Sequence, residues 1–174
     1  MKLKYELKFY DYWHLGSGLS AGAKLDSTVV KDTQDIPYAP AKTIKGLARE
    51  MAELTEDSVF IDKCFGAEGV DIAHVYFSNA VLNEQTHKEI VTNSLQERLY
   101  DVIASTQIKD GIAVDNSLRE IEVVIPISLY GEIDDIESLE DFNKLATALK
   151  MIKRVGLNRN RGLGRCEFIV EDVK

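Results

Sequence analysis

The chain has 174 residues, 45% of them apolar and 29% charged, and its 21 basic against 29 acidic residues leave a net charge of −8. That length and content suit one domain with a substantial core, and two cysteines, Cys64 and Cys166, are too few for a disulfide framework, which points to a reducing cytoplasm. No window reaches the ~18 consecutive apolar residues of a membrane helix, and the alternating N-terminus lacks the apolar core of a signal peptide, so no membrane partner is expected.

Taken in chain order, "KLKYELKFY" predicts a strand with Leu3, Tyr5, Leu7 and Phe9 on one face and Lys2, Lys4, Glu6 and Lys8 on the other. "HLGSG" ends it, and a loop through "LSAGAKLDSTVVKDTQD" follows. After Pro37 and Pro40, "TIKGLAREMAEL" has helical spacing at Ile44, Leu47, Ala48, Met51 and Leu54. Gly46 weakens that helix by about 1 kcal/mol, and a glycine accepted there often admits a close approach. "HVYFSNAVL" reads as a second strand. "NSLQERLYDVIAS" reads as a short helix with a Ser94–Glu97 capping box and a Leu95–Leu99–Val102 stripe. "TQIKDGIAVDNSLRE" has no sustained period and is expected to protrude as a hairpin or loop. "IEVVIPISLYGE" alternates as one strong strand, with Pro126 favouring an edge or bulge.

A final helix is capped by Ser138 with Asp141, carries a Leu139–Phe142–Leu145–Leu149–Ile152 stripe, and is expected to end on Gly156. "RCEFIVEDV" closes as a strand. The order β-α-β-(α)-β-α-β predicts an α+β, ferredoxin-like fold, its long excursions serving as functional insertions.

Charge is segregated along the chain. Lys150, Lys153, Arg154, Arg159, Arg161 and Arg165 fall in one window without an acid, whereas "GEIDDIESLED" concentrates the carboxylates. The glycine loop "RVGLNRNRGLGR" follows a helix and lacks the G-x-x-x-x-G-K-[ST] order, so it is neither a P-loop nor a dinucleotide fingerprint. Its arginines can fork onto phosphates; the same residues equally suit a solvated basic turn at a helix C-terminus. Lys42, Lys45 and Arg49 share one face of the first helix. Two basic clusters, both with glycines, favour nucleic acid. No His/Cys spacing suggests zinc.

The ordered set "HLGSG…LDSTVVKD…IPYAPAKTIKGLAR…CFG…VYFSNAVL…GLNRNRGLGR" resembles the RAMP superfamily (repeat-associated mysterious proteins), and more narrowly the backbone subunits of type III CRISPR effector complexes. The resemblance runs in register over nearly the whole chain. It implies one RAMP domain over residues 1–174 that binds guide RNA and target RNA and stacks with copies of itself and other effector subunits into a helical filament. Lys42, Lys45 and Arg49 would hold guide phosphates, with Gly16, Ser17 and Gly18 on the same surface and Arg159, Arg161, Gly162 and Gly164 supporting the groove. A thumb insertion around 105–120, matched by Ile108 to Arg119, would wedge between bases. Asp26 aligns with the aspartate of the family's RNA-cleaving members, implying metal-dependent cutting with Mg2+ or Mn2+ and no tightly bound cofactor. The chain departs from the family pattern at "P-A-K-T" for "P-G-S-S" and at Asn79 for an acid. Three alternatives stand beside cleavage: a non-catalytic RNA-binding scaffold, a repeat-RNA endonuclease using His14, and a small nucleotide-binding enzyme using the glycine loop.

Overall fold

The computed structural model describes residues 1–18, 25–66 and 74–171; part of the loop expected after the first strand (19–24) and the last residues of the closing strand (172–173) lie outside them. The elements in order are β1 (Leu3–Phe9), α1 (Ala41–Ala52), α2 (Ser58–Phe65), β2 (Tyr76–Phe77), α3 (Glu84–Thr92), a 3-10 turn (Gln96–Leu99), β3 (Tyr100–Ser105), β4 (Ile108–Lys109), β5 (Ile112–Ala113), β6 (Arg119–Val124), β7 (Ser128–Asp134), α4 (Leu139–Met151) and β8 (Cys166–Val170). The main sheet has the strand order β2-β7-β1-β8 and is antiparallel throughout. With α1 packed on α4, this is the ferredoxin-like arrangement that the element order predicted.

Period-two patterning fixes which face of the sheet is covered. Leu3, Tyr5, Leu7 and Phe9 of β1 are buried while Lys4 and Lys8 stand in solvent. Against that face pack Ile44, Ala48 and Ala52 of α1 and Phe142, Leu145 and Leu149 of α4. Helix α4 starts as expected: the Ser138 hydroxyl accepts from the Asp141 amide at 3.1 Å and donates to the Asp141 carboxylate at 2.7 Å, a cap worth about 1 kcal/mol.

Five expectations are corrected. Residues 93–105 form a 3-10 turn and then β3, because pairing of Tyr100–Ser105 with β6 outweighs the helical spacing; Val102 of the supposed stripe is exposed. The supposed single strand 121–132 is two, β6 and β7, in different sheets. The break falls at Pro126, which has no N–H to donate, and the alternation runs straight across it. The strand at 74–82 shrinks to Tyr76–Phe77, continued only by bridges Ala39↔Ala80 and Val81↔Tyr130. Gly156 does not cap α4, which ends at Met151 with Ile152 as its cap. Leu139, assigned to the core stripe, is also exposed. Helices α2 and α3 were not foreseen; each is capped by a side chain, Asp57 to the Phe60 amide and Asn83 to the Thr86 amide.

Strands β3 and β6 form a two-stranded arm that leaves the sheet, with Tyr100↔Val124 at its base and Ser105↔Arg119 farther out. Strands β4 and β5 extend it to a tight turn at Asp110–Gly111, both at positive φ, as a two-residue hairpin loop demands. Ile108, Ile112 and Leu118 are exposed around this tip.

Candidate nucleic-acid interface at the arm base and glycine hairpin

After β1 the chain folds over the end of the sheet onto β6. Trp13 and Val124 exchange backbone hydrogen bonds of 3.1 and 2.8 Å. His14, 1% exposed, follows directly. Its Nδ1 lies 2.6 Å from the Glu122 carbonyl oxygen and its Nε2 3.1 Å from Ser27 Oγ. A carbonyl can only accept, so Nδ1 carries the proton and Nε2 accepts from the serine hydroxyl. Both nitrogens are thus committed inside the fold, which makes His14 a tie between two loops and leaves the His14-based endonuclease without an exposed base. Gly16 pairs with Val29, the Ser17 amide donates to the Thr28 carbonyl at 2.9 Å, and Gly18 has φ +80°. Gly16, Ser17 and Gly18 therefore run beside the segment that starts at Asp26.

Asp26 is fastened to the first residues of β6. Its Oδ1 accepts from Arg119 Nη1 at 3.0 Å and its Oδ2 from the Glu120 amide at 2.8 Å, while its own amide donates to the Glu120 carbonyl at 2.8 Å. The Glu120 amide first and the Arg119 guanidinium second hold the carboxyl below the usual aspartate range, so it is ionised at neutral pH. It keeps 38% of its side chain in solvent and Arg119 keeps 66%.

The same strand is anchored from within. Glu122, 8% exposed, accepts from the Val29 amide at 2.9 Å and from Lys31 Nζ at 2.7 Å. Lys31 Nζ also lies 3.9 Å from the centroid of the Tyr100 ring. These contacts bind the Asp26 loop to both arm strands.

The glycine loop is a hairpin. Cys166 donates to the Lys153 carbonyl at 3.0 Å, Val155 to that of Gly164 at 2.9 Å, and Arg161 to that of Asn158 at 2.7 Å. The Gly164 amide reaches the Tyr12 carbonyl at 2.8 Å and the Leu157 amide the His14 carbonyl at 2.9 Å. A side chain at Gly156 or Gly164 would collide with the carbonyls of His14 or Val155. These two glycines therefore permit close packing, and the amides named here are consumed inside the fold. What the loop offers a ligand is guanidinium groups, which weakens the mononucleotide-enzyme alternative. Arg159 and Arg161 are exposed, as is Gly162 at φ +92°, whereas Gly164 is buried.

A polar hollow of about 650 Å³ separates this hairpin from the arm. It is lined by Arg161 on one side and by Arg119 with Ser105–Gln107 and Val114–Ser117 on the other. The structure thus joins Arg161, Arg119 and Asp26 into one neighbourhood. Arg119 and Glu122 were missed in the sequence because they lie 93 residues from Asp26 and 91 from Lys31, respectively; only the topology brings them together.

Lys42, Lys45 and Arg49 share α1. Lys42 is exposed; burial, and then the nearby Arg49 charge, push the Lys45 pKa down. Arg49 is occupied: Nε donates to Glu53 at 2.8 Å and Nη1 to the Gly66 carbonyl at 3.0 Å. Among the described residues no hydrogen bond or ion pair links α1 to the glycine hairpin. The Asn79 side-chain oxygen accepts from the Ala41 amide at 2.8 Å, so the residue replacing the family's acid still serves the start of α1.

No group of three or more His, Cys, Asp or Glu residues among the described ones could hold a metal ion. Asp26 offers a single carboxylate whose two oxygens already have partners, so these residues do not by themselves fit an Mg2+ or Mn2+ site. Burial pushes the Cys64 and Cys166 thiols up to about 11 and about 12, which suits packing rather than nucleophilic chemistry. No helix among the described residues is long and apolar enough to cross a membrane.

No curated protein sequence matches the chain. Among solved structures, it resembles a chain of the type III-B Cmr-beta complex bound to cognate target RNA, with a TM-score of 0.76 at 11% identity, covering 98% of this chain and 97% of that one. A chain of the apo Cmr-beta structure gives 0.76 at 12% identity with the same coverage. At such identities the likeness speaks for the fold. The sequence itself matches the RAMP superfamily model over residues 6–167, and the chain belongs to that superfamily.

Proposed function

We propose that this chain is a backbone subunit of a type III CRISPR effector that binds guide RNA and cleaves the paired target RNA at Asp26. The observation that carries the reading is the hollow between arm and glycine hairpin, bordered by Arg161 and Arg119, with Asp26 paired to Arg119 and held ionised by the Glu120 amide and then by that guanidinium. Two guanidinium groups facing a polar cleft suit ribose–phosphate. The exposed Ile108, Ile112 and Leu118 give the arm an apolar tip suited to wedging between stacked bases, the role of a thumb. Lys42 and Lys45 add two cations on α1, where a phosphate would offset the burial that disfavours the charged form of Lys45.

In this reading ionised Asp26 accepts a hydrogen bond from a target ribose 2′-hydroxyl splayed at the arm base and takes its proton as that oxygen bonds to the adjacent phosphorus; the bond from phosphorus to the next 5′-oxygen breaks, and that oxygen takes a proton from water, leaving a 2′,3′-cyclic phosphate and a 5′-hydroxyl. Arg119 meets the charge that develops on the phosphate. Copies of the chain and other effector subunits align several such hollows in a cytoplasmic filament. Avidity along the filament then compensates for a subunit whose net charge is −8. The Mg2+ or Mn2+ implied for the family would have to be held chiefly by RNA, since the protein residues do not form a site for it.

The Asp26–Arg119 pair also supports a second reading, in which Asp26 only pins the arm and the subunit is a scaffold. Arg161→Glu and Asp26→Asn, each measured in a complex reconstituted with guide RNA, separate the two. The cleaving subunit predicts weaker guide retention in the first and intact retention without target cutting in the second. Unchanged cutting in Asp26→Asn leaves the scaffold.

A further inference from the structure

The arginine-rich hairpin also borders a second hollow, which shares no lining residue with the first. There Lys153, Arg154 and Arg165 line a hollow of about 410 Å³ together with Tyr10, Cys166 and Glu167, beside the sheet's outer strand β8. None of these residues belongs to the cluster described above. Three cations face one carboxylate in this hollow, in a chain whose acids otherwise outnumber its bases.

The arrangement breaks a rule of strand pairing. Arg154 and Arg165 are directly opposite in an antiparallel bridge, where like charges repel across a few ångströms. Neither is neutralised by the other's neighbours. Arg154 Nη1 donates to the Arg159 carbonyl at 2.6 Å. Arg165 Nε reaches Asp11 at 3.3 Å, and its guanidinium lies 5.4 Å from the Tyr10 centroid, so both groups are oriented yet keep free donors. The Lys153 ammonium makes no hydrogen bond or ion pair among the described residues, and the residue is exposed. Asp11 offsets only Arg165, and among the described residues neither Arg154 nor Lys153 has an acidic partner; a local conflict compensated only in part is where a ligand is expected.

We infer that this hollow is a second phosphate site for single-stranded RNA, in which Lys153, Arg154 and Arg165 hold a phosphodiester and Tyr10 gives the adjoining sugar or base an apolar wall. The inference rests on the RNA-binding reading and extends it: the hairpin sits between two strands of the path, gripping RNA on both sides. The Tyr10 hydroxyl already donates to Glu167 at 2.5 Å, which turns that carboxylate toward the ring and away from the incoming anion.

The test uses the full chain and a labelled oligouridylate of about a dozen nucleotides, within the span a single-strand groove covers. The variant Lys153→Gln/Arg165→Gln spares Arg154, whose bond to Arg159 helps shape the loop; Arg161→Gln is the comparison on the arm side. Loss of two phosphate contacts lowers the slope of log K against log salt by about 1.4 and affinity at low salt by about tenfold or more, with an unchanged melting temperature. Wild-type affinity and slope in the double variant, alongside weakened binding in Arg161→Gln, would overturn this inference and leave the RNA-binding reading standing. No change in either variant would overturn both. Competition with uridine monophosphate and with inorganic phosphate separates the sources: either one displacing the oligomer no better than bulk salt fits the RNA site, and tight binding of the monomer that the double variant abolishes, with oligomer binding intact, assigns the hollow to free nucleotide instead.

Discussion

Replacing Gly46 by Ala should make the protein more stable and a poorer RNA binder. Gly46 lies inside α1, on its exposed side, and an added Cβ would meet nothing within 4 Å. The methyl therefore costs nothing in packing and removes only the backbone freedom of an interior helical glycine, a gain of about 1 kcal/mol. For a chain of this size that raises the melting temperature by roughly 2–4 °C. A sequence that forgoes such a gain between Lys45 and the rest of the Lys42 face has a reason outside the folded monomer. If an RNA phosphate approaches the helix backbone there, the methyl pushes it away, and losing one phosphate contact weakens binding by about tenfold at low salt and lowers the salt slope by about 0.7. Thermal melting and fluorescence anisotropy on the same preparations read both numbers. A variant that is stabilised and binds RNA as well as the wild type refutes the placing of RNA against this turn of α1.

Gly164→Ala should destabilise by about 3 kcal/mol, from a residue forced to stay at positive φ and the Val155 carbonyl forced to move; Gly162→Ala, with open space around it, should cost about 1 kcal/mol, and equal losses in urea unfolding would contradict the packing role given to Gly164. Tyr5→Phe should stabilise by about 1 kcal/mol, because the Tyr5 hydroxyl is buried without a partner among the described residues; a loss in chemical denaturation would reveal a bond to that oxygen. Burial works against the ionised Asp141, but the Lys63 ammonium and the Ser138 hydroxyl win and hold its pKa below the usual range. Stability from this carboxylate is full above the unfolded-state pKa of about 3.9 and is lost as pH falls through the lower folded value, so the cost of Asp141→Asn should be largest at pH 7 and shrink below pH 4. A cost independent of pH would show that its charge contributes nothing.

The sheet was legible in the sequence where local pattern and burial agree. β1 and α4 are set by period and cap, and their partners follow from the ferredoxin-like order. The arm was half legible. Its tip carries an Asp-Gly turn signal, but alternation in "IEVVIPISLYGE" cannot tell which sheet a residue joins, and only Pro126 marked the division. Residues 93–105 misled because their helical spacing is outweighed by cross-strand pairing with β6. At the site, Arg161 and Asp26 were found through motif order, while Arg119, Glu122 and the pairing of Arg154 with Arg165 depend on contacts between distant segments. Gly156 was expected to end a helix and Gly164 to support an RNA groove, whereas both admit the protein's own backbone, the His14 and Val155 carbonyls.

The most direct test of the account is target cleavage by a reconstituted effector carrying Asp26→Asn, with Arg119 unchanged. The substitution preserves shape and one acceptor, which can serve Arg119 while the Glu120 amide loses its partner; with guide and target bound as in the wild type, cutting should fall by at least a hundredfold. Cutting at the wild-type rate, with both RNAs bound, would contradict the assignment of the chemical step to Asp26.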